Sequence, residues 1–289
     1  MMNTIKHLFI LLFLIQVSCK STDALTNTKK LEVPKGYTLV WNDEFNKGSK
    51  PNSEFWSYEH GFVRNNEMQW YQEENATIER GNLILTGKRE MVNNPNYEAQ
   101  SNNWKKNRKV ANYTSSSINT RGKYAFKYGI VEVRAKIDTA SGMWPAIWTL
   151  GIEKGWPSNG EIDIMEYYQI DGVPHILANA AWKGKERGVS WDSEAIPFTA
   201  FLEKDSDWPN KFHIWKMDWT EDYIKLYLDD ELLNTIDLSK TKNVDEFNGF
   251  QQPHYLLLNL ALGSNGGELK DTSFPRSYKV DYVRIFQKL

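Results

Sequence analysis

The stretch that most constrains this chain is Gly160-Glu161-Ile162-Asp163-Ile164-Met165-Glu166. Its three carboxylates are interleaved with Ile, Ile and Met. Alternation of β-branched apolar and polar residues is the pattern of a strand with one packed face. Residues two apart on a strand share a face, so Glu161 and Asp163 point one way and Ile162 and Ile164 point the other, into apolar packing. Glu166 follows Glu161 by an odd number of positions, which is the wrong parity. One extra residue, a β-bulge at Ile164-Met165, would rotate Glu166 back onto the acidic face.

Similar strand signals recur along the chain. Tyr37–Trp41, Leu83–Thr86, Ser116–Thr120, Tyr124–Lys136, Ala146–Leu150, His213–Trp219, Tyr223–Leu228, His254–Leu262 and Val280–Gln287 all read as short strands between turns. In Ile130–Ile137 the polar residues Glu132, Arg134 and Lys136 fall on even positions, which is half-buried alternation. The sequence shows no internal repeat, heptad or long amphipathic helix. The expected fold class is all-β, a β-sandwich over residues 37–289. Net charge is −2, which gives no electrostatic case for nucleic acid as a partner.

The N-terminus reads differently. Lys6 and His7 precede the apolar run Leu8–Ile15, which is too short to span a bilayer. The run leads into Gln16-Val17-Ser18-Cys19, and Cys19 is the only cysteine, so no internal disulfide can form. This arrangement resembles a bacterial lipoprotein box. It implies a signal peptide over residues 1–18 and lipidation of Cys19. An ordinary secretory signal with an incidental cysteine is the alternative. Lys20–Pro34 is polar and rich in Ser, Thr, Asn and Lys, so residues 19–36 are expected to be a flexible tether. A monomeric protein anchored in the cell envelope, at the outer membrane, follows.

Three carboxylates on one face cannot all ionise easily, so at least one pKa should rise. Glycosidases need that condition: one carboxylate kept ionised as nucleophile and one kept protonated as acid. A solvated acidic strand would not usually lie between Trp-rich segments, and calcium ligands usually come from loops with Asn and Gly between the acids. The motif Glu-Ile-Asp-Ile-Met-Glu resembles the catalytic signature of glycoside hydrolase family 16, in the bulged form of its laminarinase-type enzymes. Trp41–Phe45, Asn66–Tyr71, Gly142–Trp148, Leu258–Gly263 and Val280–Arg284 resemble further family segments in family order. The resemblance implies a jelly roll with a substrate groove on its concave face. It also implies that Glu161 is the nucleophile, Asp163 the assisting carboxylate and Glu166 the general acid/base of a retaining endo-β-glucanase. No cofactor takes part in that chemistry. The expected substrate is a β-1,3- or mixed-linkage β-1,3/1,4-glucan. A marine galactan such as agarose, porphyran or carrageenan is a second enzymatic reading, and a non-catalytic carbohydrate-binding lipoprotein a third.

Other residues carry narrower expectations. Trp144 and Trp148, four apart on a strand, share a face and could stack on sugar rings, with Trp70 as a further flat surface. Asn66, Glu67 and Gln69 offer donors and acceptors to sugar hydroxyls, and Trp182 follows the acidic strand closely enough to neighbour it. By resemblance, Glu44, the carbonyl of Gly81 and Asp281 form a structural calcium site; pairing of the two acids with nearby Lys or Arg is the alternative. His60, His175, His213 and His254 show no metal-ligand spacing. Many laminarinase-type relatives carry a His near position 181, where this chain has Ala180 and Ala181. That departure leaves the linkage preference open. The basic run Trp104–Lys109 reads as a solvated loop that would matter if it stood on the groove's rim.

Overall fold

The computed structural model describes residues 31–184 and 188–288. The signal segment, Cys19 and most of the tether lie outside the described residues. Two antiparallel sheets face each other. The first has seven strands in the order Val189–Pro197, Val173–Lys183, Glu161–Ile170, Met143–Gly151, His254–Leu262, Ser117–Asn119 and Ser57–Tyr58. The second runs Glu231–Asp237, Tyr223–Leu228, His213–Trp219, Gly129–Lys136, Arg276–Gln287, Asn82–Gly87 and Ala76–Glu79, with Thr38–Asp43 also paired to Arg276–Gln287. This is the expected all-β sandwich, a jelly roll. Three of the expected strands, His213–Trp219, Tyr223–Leu228 and His254–Leu262, have the bounds read from sequence.

The hydrophobic core lies between the sheets. Ile147, Ile162, Ile164, Leu256 and Leu258 meet Val131, Val133, Trp215, Met217, Val283 and Ile285 there. Each such side chain contributes about 1.5–3 kcal/mol when fully buried, so the core holds both sheets in register. In Gly129–Lys136 the odd residues are buried and the even ones half-buried, as the alternation requires. The strand does not begin at Tyr124, however. Tyr128 and Gly129 have φ of +64° and +115°, which breaks extended backbone, and a Cβ on Gly129 would lie 2.3 Å from the Phe286 carbonyl oxygen. Met143–Gly151 and His254–Leu262 are buried along almost their whole length. A second apolar cluster of Ala146, Trp148, Tyr255 and Leu257 covers their outer face, and that face carries the site.

Candidate active site

Gly160 brings the chain into the acidic strand. Its φ is +74°, and a Cβ there would sit 3.0 Å from the Gly249 backbone, so only glycine fits without strain. The strand then pairs Asp163 with Asn179 but Glu166 with Leu177, so Ile164 and Met165 together oppose Ala178. On its other side Trp148 pairs with Asp163 and Ile147 with Met165. The bulge lies where parity required it. Ile162, Ile164 and Met165 are fully buried, while Glu161, Asp163 and Glu166 all line a cleft of about 630 Å³ on the outer face.

The cleft makes the three acids unequal. Trp144 Nε1 donates to Glu166 Oε1 at 2.9 Å, and Asn179 Nδ2 lies 3.4 Å from Oε2. Glu166 is pushed up to about 8, first by burial and then by the charge of Glu161. Glu161 is pushed up to about 7 by burial, opposed by a hydrogen bond from Trp156 and by the charge of Arg64. Asp163, only 3% exposed, is held well above the carboxylate range by burial and then by Glu166 and Glu161. Its hydrogen-bond partner is Asn179, and its Oδ2 is without a partner among the described residues. Ionisation of Glu161 makes ionisation of Glu166 harder. A carboxylate beside a carboxylic acid on one strand face of this cleft can attack an anomeric carbon while its neighbour protonates the departing oxygen.

The model of glycosyl hydrolases family 16 matches residues 63–284. The chain belongs to glycosyl hydrolase family 16. It is 32% identical to a beta-glucanase of Rhodothermus marinus, over 87% of this chain and 85% of that one. It is 30% identical to a keratan-sulfate endo-1,4-beta-galactosidase of Sphingobacterium multivorum, over 87% of this chain and 55% of that one. Among solved structures, the laminarinase catalytic domain of Thermotoga maritima superposes with a TM-score of 0.72 at 30% identity, covering 88% of this chain and all of that one. A structure from work on endo-acting O-glycanases, which prominent human gut bacteria express to initiate mucin breakdown, superposes with a TM-score of 0.79 at 35% identity, covering 89% and 92%. The chain is thus a glycoside hydrolase.

The family 16 cleft uses the remaining expected residues unevenly. Trp144 and Trp148 share the cleft face, but neither is an open platform. Trp144 meets Tyr168 edge-on, and the Arg64 guanidinium lies 4.9 Å from the centre of the Trp148 ring. Trp148 Nε1 instead donates to Asn259 Oδ1 at 2.7 Å. The exposed indoles of the cleft are Trp156, at 53%, and Trp191, at 48%. Both escaped the sequence reading, although Trp156 stands close before Gly160 and could have been found by proximity to the motif. Trp182 turns away from the cleft and packs edge-on against Phe250. Ala181 pairs with Glu161, so the next residue faces the core. Trp70 likewise packs on Phe62 and Gly61.

Asn66 and Glu67 line the cleft, whereas buried Gln69 supports them. Its Nε2 donates to Glu67 Oε2 at 2.6 Å, and its Oε1 accepts from the Leu262 amide at 2.8 Å. Arg108 of the basic loop donates to the carbonyls of Glu67 and Asn66 at 2.6 and 3.1 Å, so one charge of that loop shapes the rim from behind. The expected calcium donors are otherwise employed. Arg284 grips both oxygens of Glu44 at 2.8 and 2.9 Å, and Arg134 pairs with Asp281. Arginine-neutralised carboxylates do not fit a divalent cation, and the Gly81 carbonyl alone makes no site.

Proposed function

We propose that the protein is an endo-β-glucanase that cleaves β-1,3- or mixed β-1,3/1,4-linked glucan by retaining double displacement. The observation that carries this is the bulge at Ile164-Met165, which returns Glu166 to the face of Glu161. In the first step a Glu161 carboxylate oxygen bonds to the anomeric carbon, the glycosidic C–O bond breaks, and Glu166 gives its proton to the leaving oxygen. In the second, Glu166 takes a proton from water, whose oxygen displaces Glu161 and frees the sugar. Asp163 tunes the pair and forms no bond to the substrate. Trp156 and Trp191 supply apolar faces for glucose rings. Purified laminarin, mixed-linkage glucan, agarose, porphyran and carrageenan, each incubated with equal enzyme, should release reducing ends from one or both glucans. Release from a galactan with none from either glucan would overturn the glucan reading.

One observation favours a second reading. The likeness to the O-glycanase structure and to the keratan-sulfate galactosidase supports an endo-hydrolase of galactose-containing chains. Keratan sulfate and mucin O-glycans therefore join the panel, and cleavage of these with none of the glucans would replace the glucan reading. Export and a lipid anchor on Cys19 belong to the same proposal, resting on the apolar run before the cysteine. Cys19→Ala should move the protein from membranes to the soluble fraction, and unchanged fractionation would remove the anchor. Calcium forms no part of this reading, because Arg284 and Arg134 already neutralise Glu44 and Asp281.

A further inference from the structure

The turn at 152–160 joins the strands Met143–Gly151 and Glu161–Ile170. It brings Trp156 into the cleft with Glu161, and about half of that side chain stays open to solvent. A ring so exposed has little packing of its own, so its place depends on the backbone that bears it.

That backbone is held from beneath by one buried side chain. Gln252 stands just ahead of the strand His254–Leu262 and is 3% exposed. Its Oε1 accepts from the Glu153 amide at 2.6 Å, and its Nε2 donates to the Asn159 carbonyl at 2.8 Å and lies 3.4 Å from the Glu153 carbonyl. One amide thus bonds both arms of the turn, on either side of Trp156. The Asn159 carbonyl belongs to the peptide that leads into Gly160 and Glu161. Gly151 makes room for this contact, because a Cβ there would overlap Gln252 Nε2. Neighbouring ties from outside the turn reach one arm each. Asn243 Nδ2 donates to the Ser158 carbonyl at 2.7 Å, the Ile152 amide donates to the Pro253 carbonyl at 3.1 Å, and Lys154 pairs with Asp245 at the surface. Among the described residues, Gln252 is the one side chain from outside the turn that bonds both arms.

We propose that Gln252 is a positioning residue: by bonding both arms of the 152–160 turn, it holds the Trp156 indole where a sugar ring of the substrate stacks. That role rests on Trp156 supplying a sugar face, as in the function proposed above. Without the Gln252 amide, the Glu153 N–H and the carbonyl of buried Asn159 lose their partner, and the turn must rearrange to satisfy them. Ring contacts depend on offset and separation, so a displaced Trp156 loses its hold on the sugar.

Kinetics on whichever polysaccharide of the panel is cleaved best test this through a double-mutant cycle. Trp156→Ala should lower kcat/KM by about three- to ten-fold, the worth of one ring contact. Gln252→Met has a similar shape without the amide hydrogen bonds and should lower kcat/KM by a similar factor. Trp156→Ala/Gln252→Met should then be no worse than Trp156→Ala alone. Gln252→Glu keeps an acceptor for the Glu153 amide and should fall between the parent and Gln252→Met. If thermal melts show that Gln252→Met does not fold, Gln252→Glu takes its place in the cycle. A merely structural Gln252 would lower stability, and its effect on kcat/KM would multiply with that of Trp156→Ala. Multiplying effects, or parental kcat/KM in the Gln252 variant used, would overturn the proposal. Failure of the underlying reading would show separately, as parental kcat/KM in Trp156→Ala.

Discussion

At the scale of single residues, identical side chains differ here because their neighbours differ. Glu161 meets Trp156 and the field of Arg64, while Glu166 meets Trp144, Asn179 and the charge of Glu161. Glu161→Gln and Glu166→Gln should each lower kcat on polysaccharide by roughly three or more orders of magnitude, since one removes the nucleophile and the other the proton donor. Asp163→Asn should cost less, on the order of 10–100-fold, because it only tunes the pair. Steady-state kinetics on one glucan measures all three, and near-parental turnover in either Glu variant would refute the assignment. Burial of Glu166 also has a thermodynamic consequence. Its folded pKa, about 8, exceeds its ordinary value of 4.5, so the native state holds a proton that the unfolded state has lost between those limits. Stability from this group is full at low pH and declines as pH rises from 4.5 toward 8. Glu166→Gln should therefore leave stability little changed at low pH and raise it by roughly 1–3 kcal/mol above the folded pKa. Thermal melts across that range test the sign, and an equal gain at both ends would show that ionisation of Glu166 is not the cause.

At the scale of elements, the acidic strand depends on a turn and a bulge. Gly160 packs its backbone on Gly249 with positive φ, so the strand enters the sheet at one height and Glu161 sits level with Ala181. Gly160→Ala should destabilise the fold by about 1–3 kcal/mol through the strained φ and the close approach. It should also lower kcat by displacing Glu161, since small misplacements at a reacting centre are costly. Urea unfolding and kinetics on the same sample test both effects, and a fully active, fully stable variant would show that the turn tolerates a side chain. The loop at 64–69 is tied just as firmly, by the Met68 amide to the Leu262 carbonyl at 2.9 Å and by Arg108 beneath it.

At the scale of the whole molecule, one sheet is buried on both faces at its centre so that the other elements can build walls around it. Loops carrying Arg64, Trp156 and the 264–265 turn close the cleft over strands that present the acids. The bulge sets both glutamates on one face of that cleft. The first-formed product should therefore keep the anomeric configuration of its substrate. NMR of the earliest product decides this, and early α-anomer from a β-linked glucan would remove Glu161 as nucleophile.

What could be known from sequence was whatever depends on nearest neighbours along the chain. Parity alone located the bulge at Ile164-Met165, and alternation alone identified Ile130–Ile137 as half-buried, although the strand read as starting at Tyr124 begins at Gly129. The same parity placed Trp144 and Trp148 on one face. It could not show that Arg64, brought across the cleft by a loop, would cover Trp148, because that contact joins residues far apart in sequence. Nor could it show that Trp182 would turn to Phe250, or that Trp156 and Trp191 would stand exposed in the cleft in place of the buried pair. Pairing of Glu44 and Asp281 with arginines was one of two open alternatives, and only the register of Thr38–Asp43 against Arg276–Gln287 brings Arg284 to Glu44. Local pattern dictated which side of a strand each residue takes. The packing of sheets and loops decided what waits on that side, and with it the charge each carboxylate carries.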